Sequence, residues 1–215
     1  FKVLLFLIDT FLNKKYSKIQ MIIGITGPIG SGKTTAAKIF SMHHYSRISA
    51  DEIGHELLKS NEKIKNSIIK YFGREILGKN KSIDRKKLGD TVFDGTEKLR
   101  ELNSIMHPMI LKEIKNEIAK IKKACPDKIR IVIDAPLLLE TNSGDLADKI
   151  IVVKCDKENI LKRLSKKYPK GKIERILNAQ MPLSQKVKYA DFVIDNNKDA
   201  AYLKKQINEI VKKIQ

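Results

Sequence analysis

The chain has 215 residues, enough for one substantial hydrophobic core with appendages and too few for two independent ones. Lys and Arg (43) outnumber Asp and Glu (25), but the excess is Lys dispersed along helical runs such as KEIKNEIAKIKK (112–123), with no interleaved aromatics to stack bases; a solvated surface is expected and nucleic acid is not expected as a partner. The two cysteines form no C-x-x-C pair and His43, His44 and His55 have no partners at ligand spacing, which excludes a disulfide framework and a zinc site and fits a reducing cytoplasm.

The first apolar stretch, VLLFLIDTFL (3–12), is broken by Asp9 and has about half the length needed to cross a bilayer, so no membrane association is expected. NKKYSKIQ follows it where a signal peptide would carry a small-residue cleavage site. Residues 1–20 therefore read as upstream sequence or a loosely attached helix, and the sheet is expected to open at Met21. From there, short β-rich apolar runs alternate with longer helical patterns, the order of a parallel sheet covered on both faces. Strands are predicted at MIIGIT (21–26), SRIS (46–49), IRIVID (129–134), KIIVVK (149–154) and DFVID (191–195).

The stretch between the second and third strands is too long for one crossover and reads as helix: Ile64, Ile68 and Phe72 share a face, then Leu99, Leu102 and Met106, then Ile110, Ile114, Ile118 and Ile121. The predicted architecture is an α/β core with a five-stranded parallel sheet (21–55 and 125–215), interrupted by a helical insertion (56–124) packed on the sheet's carboxyl edge, where such folds bind ligands.

GPIGSGKT (27–34) fits G-x-x-x-x-G-K-[ST] between a strand and a helix, the context a P-loop requires. Gly27, Gly30 and Gly32 let backbone N–H groups turn inward to a phosphate, and the following helix adds its positive end. With Pro28, Ile29, Ser31 and Thr35 they form a loop for a nucleoside triphosphate, in which Lys33 reaches the β- and γ-phosphates and Thr34 offers a hydroxyl to Mg²⁺. Asp134 closes an apolar strand in the manner of a second magnesium ligand, direct or through water.

The loop does not choose its acceptor. DEIG (51–54) matches the D-x-x-G of GTPases, but NKDA (197–200) puts its Asp one place too early for the guanine-reading N-K-x-D, and no nucleic-acid module of a motor is visible. What remains is a small-molecule kinase, with a nucleoside monophosphate kinase disfavoured by the scarcity of Arg; the alternative from another class is a P-loop protein that binds nucleotide or nucleic acid without transferring phosphate. Asp51, just after the second strand, is placed to orient a sugar hydroxyl, and it also reads as the N-cap of EIGHELLKS.

From Met21 to near Asn197 the chain resembles the dephospho-coenzyme A kinase family. The resemblance is carried by IGITGPIGSGKT, SADEIGHELL, YFGREIL, IDRKKLGDTVF, LNSIMHPMI, APLLLE (135–140) and NAQMPLSQKVKYADFVIDNN (178–197). The His107-Pro108 pair, the P-L-L-x-E segment and the A-Q-M-P run are specific to that family. The resemblance implies a P-loop kinase fold and ATP- and Mg²⁺-dependent phosphorylation of the ribose 3′-hydroxyl of dephospho-CoA, the closing step of coenzyme A synthesis; it implies no oligomeric state. Asp51 then accepts the acceptor's proton, Thr26 lies close to the reacting groups, and Arg163 is the arginine of a lid at about 160–180 that covers the phosphates.

The insertion becomes the CoA-binding part, with Arg85 and His107 as its polar contacts; Pro136 and Leu137 join the substrate contacts, and Asn196 and Asn197 the turn near adenine. Glu140 belongs to the shared pattern without an implied role. Four positions depart from it: Lys167 where a second lid arginine is usual, a slightly shortened lid, Ser49 where Asp is common, and Lys198 where Gly often follows. Taken by themselves, His107-Pro108 would start the long helix, and Arg85 would follow an N-cap at Asp84.

Overall fold

The computed structural model describes residues 19–92, 95–141 and 143–214, so the expected leader lies, apart from its last two residues, outside the described part. Five strands, β1 (Ile19–Thr26), β2 (Ser46–Ser49), β3 (Lys128–Asp134), β4 (Lys149–Lys154) and β5 (Phe192–Asp195), form an all-parallel sheet in the order β2-β3-β1-β4-β5. Strand β1 opens two residues before Met21, because Ile19 and Gln20 continue the ladder opposite Lys128 and Ile129.

Alternation along the strands feeds two cores. Ile23 and Ile25 of β1, Val132 of β3 and Ile151 of β4 turn toward α1 (Lys33–Met42) on one face. Ile22, Ile131 and Ile133 turn to the other. Covering both faces lets β1, β3 and β4 carry apolar residues on both sides, which is why they were readable as short Ile- and Val-rich runs. Chain order places β1 between β3 and β4, so the loops leaving the carboxyl ends of β1 and β3 part around a crevice, the place where doubly wound sheets bind ligands.

The insertion is helical: α2 (Ala50–Ser60), α3 (Glu62–Phe72), a single turn at Arg74–Ile76, α4 (Arg85–Val92) and α5 (Thr96–Ala124). It has its own core, in which Leu57, Ile68, Phe72, Leu88 and Met106 are buried. The expectation that His107-Pro108 starts the long helix is corrected: α5 begins at Thr96, and Pro108 lies in its interior. Proline there removes the bond to the Ser104 carbonyl, a loss that is tolerable because Pro108 and Ser104 both lie on the exposed side, within reach of water. The first half of α5 packs into the insertion core through Leu99, Leu102 and Met106; Ile114 and Ile118 pack against the sheet.

After β4 come α6 (Lys157–Leu164), α7 (Lys170–Asn178) and α8 (Leu183–Lys188), and α9 (Ala200–Ile214) closes the sheet's α1 side with Leu203 and Ile207. Among the described residues no helix is long and apolar enough to cross a membrane.

Candidate active site

Between β1 and α1 the chain turns through Gly27 (φ 154°), Gly30 (φ 75°) and Gly32 (φ 94°). These values are accessible to glycine and strained for other residues, and space excludes side chains as well: a Cβ on Gly27 would strike the Val153 carbonyl oxygen, and one on Gly32 the Asn196 amide. Gly32 caps α1, so Lys33 is its first residue, and Thr34 and Thr35 stand exposed beside it. A loop of this shape at a helix N-terminus is an anion cradle. The Ser31 hydroxyl is buried within it without a hydrogen-bond partner among the described residues.

Behind the cradle stands a brace. Asn196 donates its amide to the Ser31 carbonyl (2.7 Å); Arg163, on α6, donates Nη1 to the carbonyls of Gly30 (3.3 Å) and Ser31 (3.4 Å) and Nη2 to that of Asn196 (2.7 Å). The guanidinium expected over the phosphates here contacts backbone carbonyls of the phosphate loop and of Asn196. Asn197 likewise turns inward, its Oδ1 accepting from the Asp156 N–H (2.8 Å) and the Asn159 amide (3.1 Å). Arg163→Ala should therefore raise the KM for ATP and lower kcat, each on the order of 10-fold, and Arg163→Lys should recover little of either, because one ammonium cannot serve three carbonyls in a planar fork. Steady-state kinetics of the two variants check this, and unchanged constants would remove the brace.

Asp51 lies in the first turn of α2, but the cap is Ser49, whose hydroxyl accepts from the Glu52 N–H (3.3 Å). The N-cap reading of Asp51 is corrected: its carboxylate is free for other work, and Ser49, a departure from the family pattern, is itself a good cap. Desolvation pushes the Asp51 carboxyl above its usual range; Lys33 pulls it down and Asp134 pushes it further up. Lys33 is buried, which pushes its ammonium below the ordinary lysine value against the opposing pull of Asp51 and Asp134, while the nearby Lys186 adds to the fall.

Asp134, buried at the end of β3, accepts from Arg47 Nη2 (3.2 Å), and Arg47 also holds Glu52 (2.9 Å). Thr34 and Asp134 supply the hard oxygen donors that magnesium prefers, and Asp134 Oδ2 is shared with Arg47. Among the described residues no group of three or more His, Cys, Asp or Glu could hold a metal ion, so a magnesium ion at Thr34 and Asp134 would need phosphate oxygens and water as its remaining ligands.

A cavity of about 280 Å³ opens between the phosphate loop, the insertion and α7. Of the expected site residues it brings together Ile29, Lys33, Asp51, His107, Pro136 and Leu137. Burial pushes the His107 imidazole down, opposed by Glu140. Two expected site residues, Arg85 and Thr26, are not among those that line the cavity. Arg85 is exposed on α4, beyond the cavity lining, where it helps hold down the pKa of His55 after that residue's own burial; Asp84 caps its helix through the Lys86 and Lys87 N–H groups (2.9 and 3.1 Å). Thr26, expected near the reacting groups, is fully buried and donates its hydroxyl to the Pro136 carbonyl (3.0 Å).

Among the polar residues that line the cavity the sequence reading missed four, Asn103, Thr141, Ser143 and Gln180, and it missed a buried cation, Lys186. Lys186, on α8, is 0% exposed; its Nζ donates to the Pro136 carbonyl (2.8 Å), Thr26 Oγ1 (3.3 Å) and both oxygens of Glu140 (2.8 and 3.0 Å). Its one sequence signal was membership of the segment that carries A-Q-M-P, where a lysine among lysines reads as surface.

The family description of dephospho-CoA kinase matches residues 21–201. A dephospho-CoA kinase of Carboxydothermus hydrogenoformans is 41% identical over 194 residues, 89% of this chain and 93% of that one. The chain belongs to the dephospho-CoA kinase family. Another member, from Fusobacterium nucleatum, is 37% identical over 90% of this chain and 98% of its own. The solved dephospho-CoA kinase of Campylobacter jejuni superposes with a TM-score of 0.64 at 27% identity, covering 91% of this chain and 98% of that one. The dephospho-CoA kinase match takes in the phosphate loop, the whole insertion and the Lys186 network.

Proposed function

We propose that this chain transfers the γ-phosphoryl group of ATP, with magnesium, to the ribose 3′-hydroxyl of dephospho-CoA, giving CoA in the last step of its synthesis, in the cytoplasm. The observation that carries the reading is the meeting of Lys33 and Asp51 in one cavity, walled on one side by the phosphate loop and on the other by the helical insertion. Family membership supplies the acceptor.

The chemistry follows from these groups. A sugar hydroxyl entering the cavity meets Asp51, which orients it toward the γ-phosphorus and takes its proton as the new oxygen–phosphorus bond forms. The bond from that phosphorus to the β,γ-bridging oxygen breaks, and ADP leaves. Lys33 holds fixed positive charge against the oxygens of the transferring group. A magnesium ion bound by Thr34 and Asp134 with the phosphates would neutralise charge on the β- and γ-oxygens. Apolar side chains, Leu99, Ile110, Pro136 and Leu137, make a wall suited to a flat aromatic or aliphatic part of the acceptor.

No arginine lines the cavity among the described residues, whereas a nucleoside monophosphate kinase grips its acceptor phosphate with several. With ATP and Mg²⁺, dephospho-CoA should be consumed, and AMP, CMP, shikimate and polynucleotide should be poor stimulants of ADP release. A coupled ADP assay over this panel, with the new phosphate located by phosphorus NMR, tests it. Faster transfer to a nucleoside monophosphate, or ADP release driven by polynucleotide, overturns the assignment.

A further inference from the structure

The Glu140–Lys186 pair lies outside the phosphate-transfer groups, yet three cavity-lining segments meet on it. The Lys186 ammonium takes the Pro136 carbonyl, which belongs to the wall formed by Pro136 and Leu137. It also takes the hydroxyl of Thr26, the last residue of β1 before the phosphate loop. Its counter-ion, Glu140, accepts the N–H of Met181 on Oε1 (3.0 Å), and the adjoining Gln180, which lines the cavity, accepts the N–H of Ile29 in the phosphate loop (3.0 Å). Polar bonds therefore run from the acceptor wall through the pair to the chain after α7 and back to the loop.

We infer that Glu140 and Lys186 are positioning residues: together they fix the Pro136–Leu137 wall, and with it the acceptor, against the phosphate loop. The inference rests on the kinase reading of the cavity. A buried ion pair gives little net stability over an apolar pair of the same volume, so stability alone is a weak reason for charge at this place. What the pair supplies is direction. A fully buried ammonium with its donors spread over Pro136, Thr26 and Glu140 holds three backbone segments in one geometry, where an apolar side chain would let them slide. In-line transfer is sensitive to such slack, since a misplacement of about 1 Å can cost about 10²-fold in rate.

The test is a double substitution. Lys186→Met alone leaves Glu140 without its cation, and Glu140→Gln alone leaves a buried ammonium unpaired, so either single variant can lose its fold. Glu140→Gln with Lys186→Met is neutral, close in volume, and keeps an oxygen for the Met181 N–H. It should melt close to the wild type and keep its KM for ATP, while kcat/KM for the acceptor falls on the order of 10²-fold. Thr26→Val, which removes one hydroxyl and no charge, should move the acceptor constants in the same direction by less.

Kinetics are read with the best acceptor of the panel, so failure of dephospho-CoA as acceptor overturns the functional reading and leaves this test intact. A folded double variant with wild-type acceptor constants would make the pair structural only. A KM for ATP that rises as much as the acceptor constants fall would place the damage in the phosphate loop instead. Either result overturns the inference, and if the double variant fails to fold, wild-type acceptor constants in Thr26→Val do so.

Discussion

Lys33→Ala should lose on the order of 10²- to 10³-fold in kcat while keeping its fold, because it removes a fixed charge aimed at the transferring phosphate. Burial makes Lys33 expensive to charge: its pKa falls below that of the unfolded chain. The sign of the stability effect follows. A lysine with a depressed folded-state value opposes folding at pH values below that value, where the folded protein must hold the proton against desolvation, and the penalty fades as pH rises toward the unfolded value. Lys33→Met, which keeps the aliphatic stem, should therefore melt no lower than the wild type at neutral pH while sharing the catalytic loss. Single-turnover kinetics and thermal unfolding separate the two effects. Near-normal turnover in either folded variant would sink the phosphate-cradle reading.

Asp51→Asn should cost roughly 10²- to 10⁴-fold in kcat with little change in ATP binding, since it removes proton acceptance and leaves the cradle in place. The raised carboxyl of Asp51 adds a signature in pH. As pH falls through that raised value the carboxylate is protonated and can no longer take the acceptor's proton, so kcat/KM should drop on the acid side at a pH above the ordinary carboxylate range. In Asp51→Asn that limb should vanish from the residual rate. For stability the sign is opposite to that of a salt-bridged aspartate: a folded value above the unfolded one favours folding at low pH and is lost as pH rises through the folded value. At neutral pH the ionised Asp51 opposes folding, and Asp51→Asn should hold or raise the melting temperature. A full-rate Asp51→Asn enzyme would remove Asp51 as the base.

What was legible in the sequence, and what was not, follows from the range of each signal. The β4 strand was placed at its observed limits because IIVV is a short apolar run between two lysines; β2, SRIS, was also placed at its limits, though Ile48 is its one apolar residue. The loop glycines were legible because backbone shape itself restricts those positions. Asp51 as a cap and Pro108 as a helix start were errors of local preference: Ser49 is as good a cap as Asp, and the packing of α5 on two cores outweighs one missing hydrogen bond.

Arg163 illustrates the reverse difficulty. Its place near the phosphate loop could be carried over from a motif, but which partners a long, flexible guanidinium chooses depends on carbonyls brought in from the ends of β1 and β5. Lys186 and Gln180 were invisible for the same reason. A lysine whose partners are 46 to 160 residues away in sequence looks like any other in a chain rich in lysine.

Helix α5, at 29 residues, is a rod about 43 Å long whose two ends answer to different cores. His107 sits near its middle, in the wall of the cavity. The rod's sheet-bound half is held by Ile114 and Ile118, and α2 ties the insertion to the same face through Ala50 and Ile53. The bond missing at Pro108 makes the point next to His107 the most compliant place along it. An angular change at that point would move Leu99 and Asn103, which line the cavity on the insertion side, relative to Ile114 and Ile118 on the sheet.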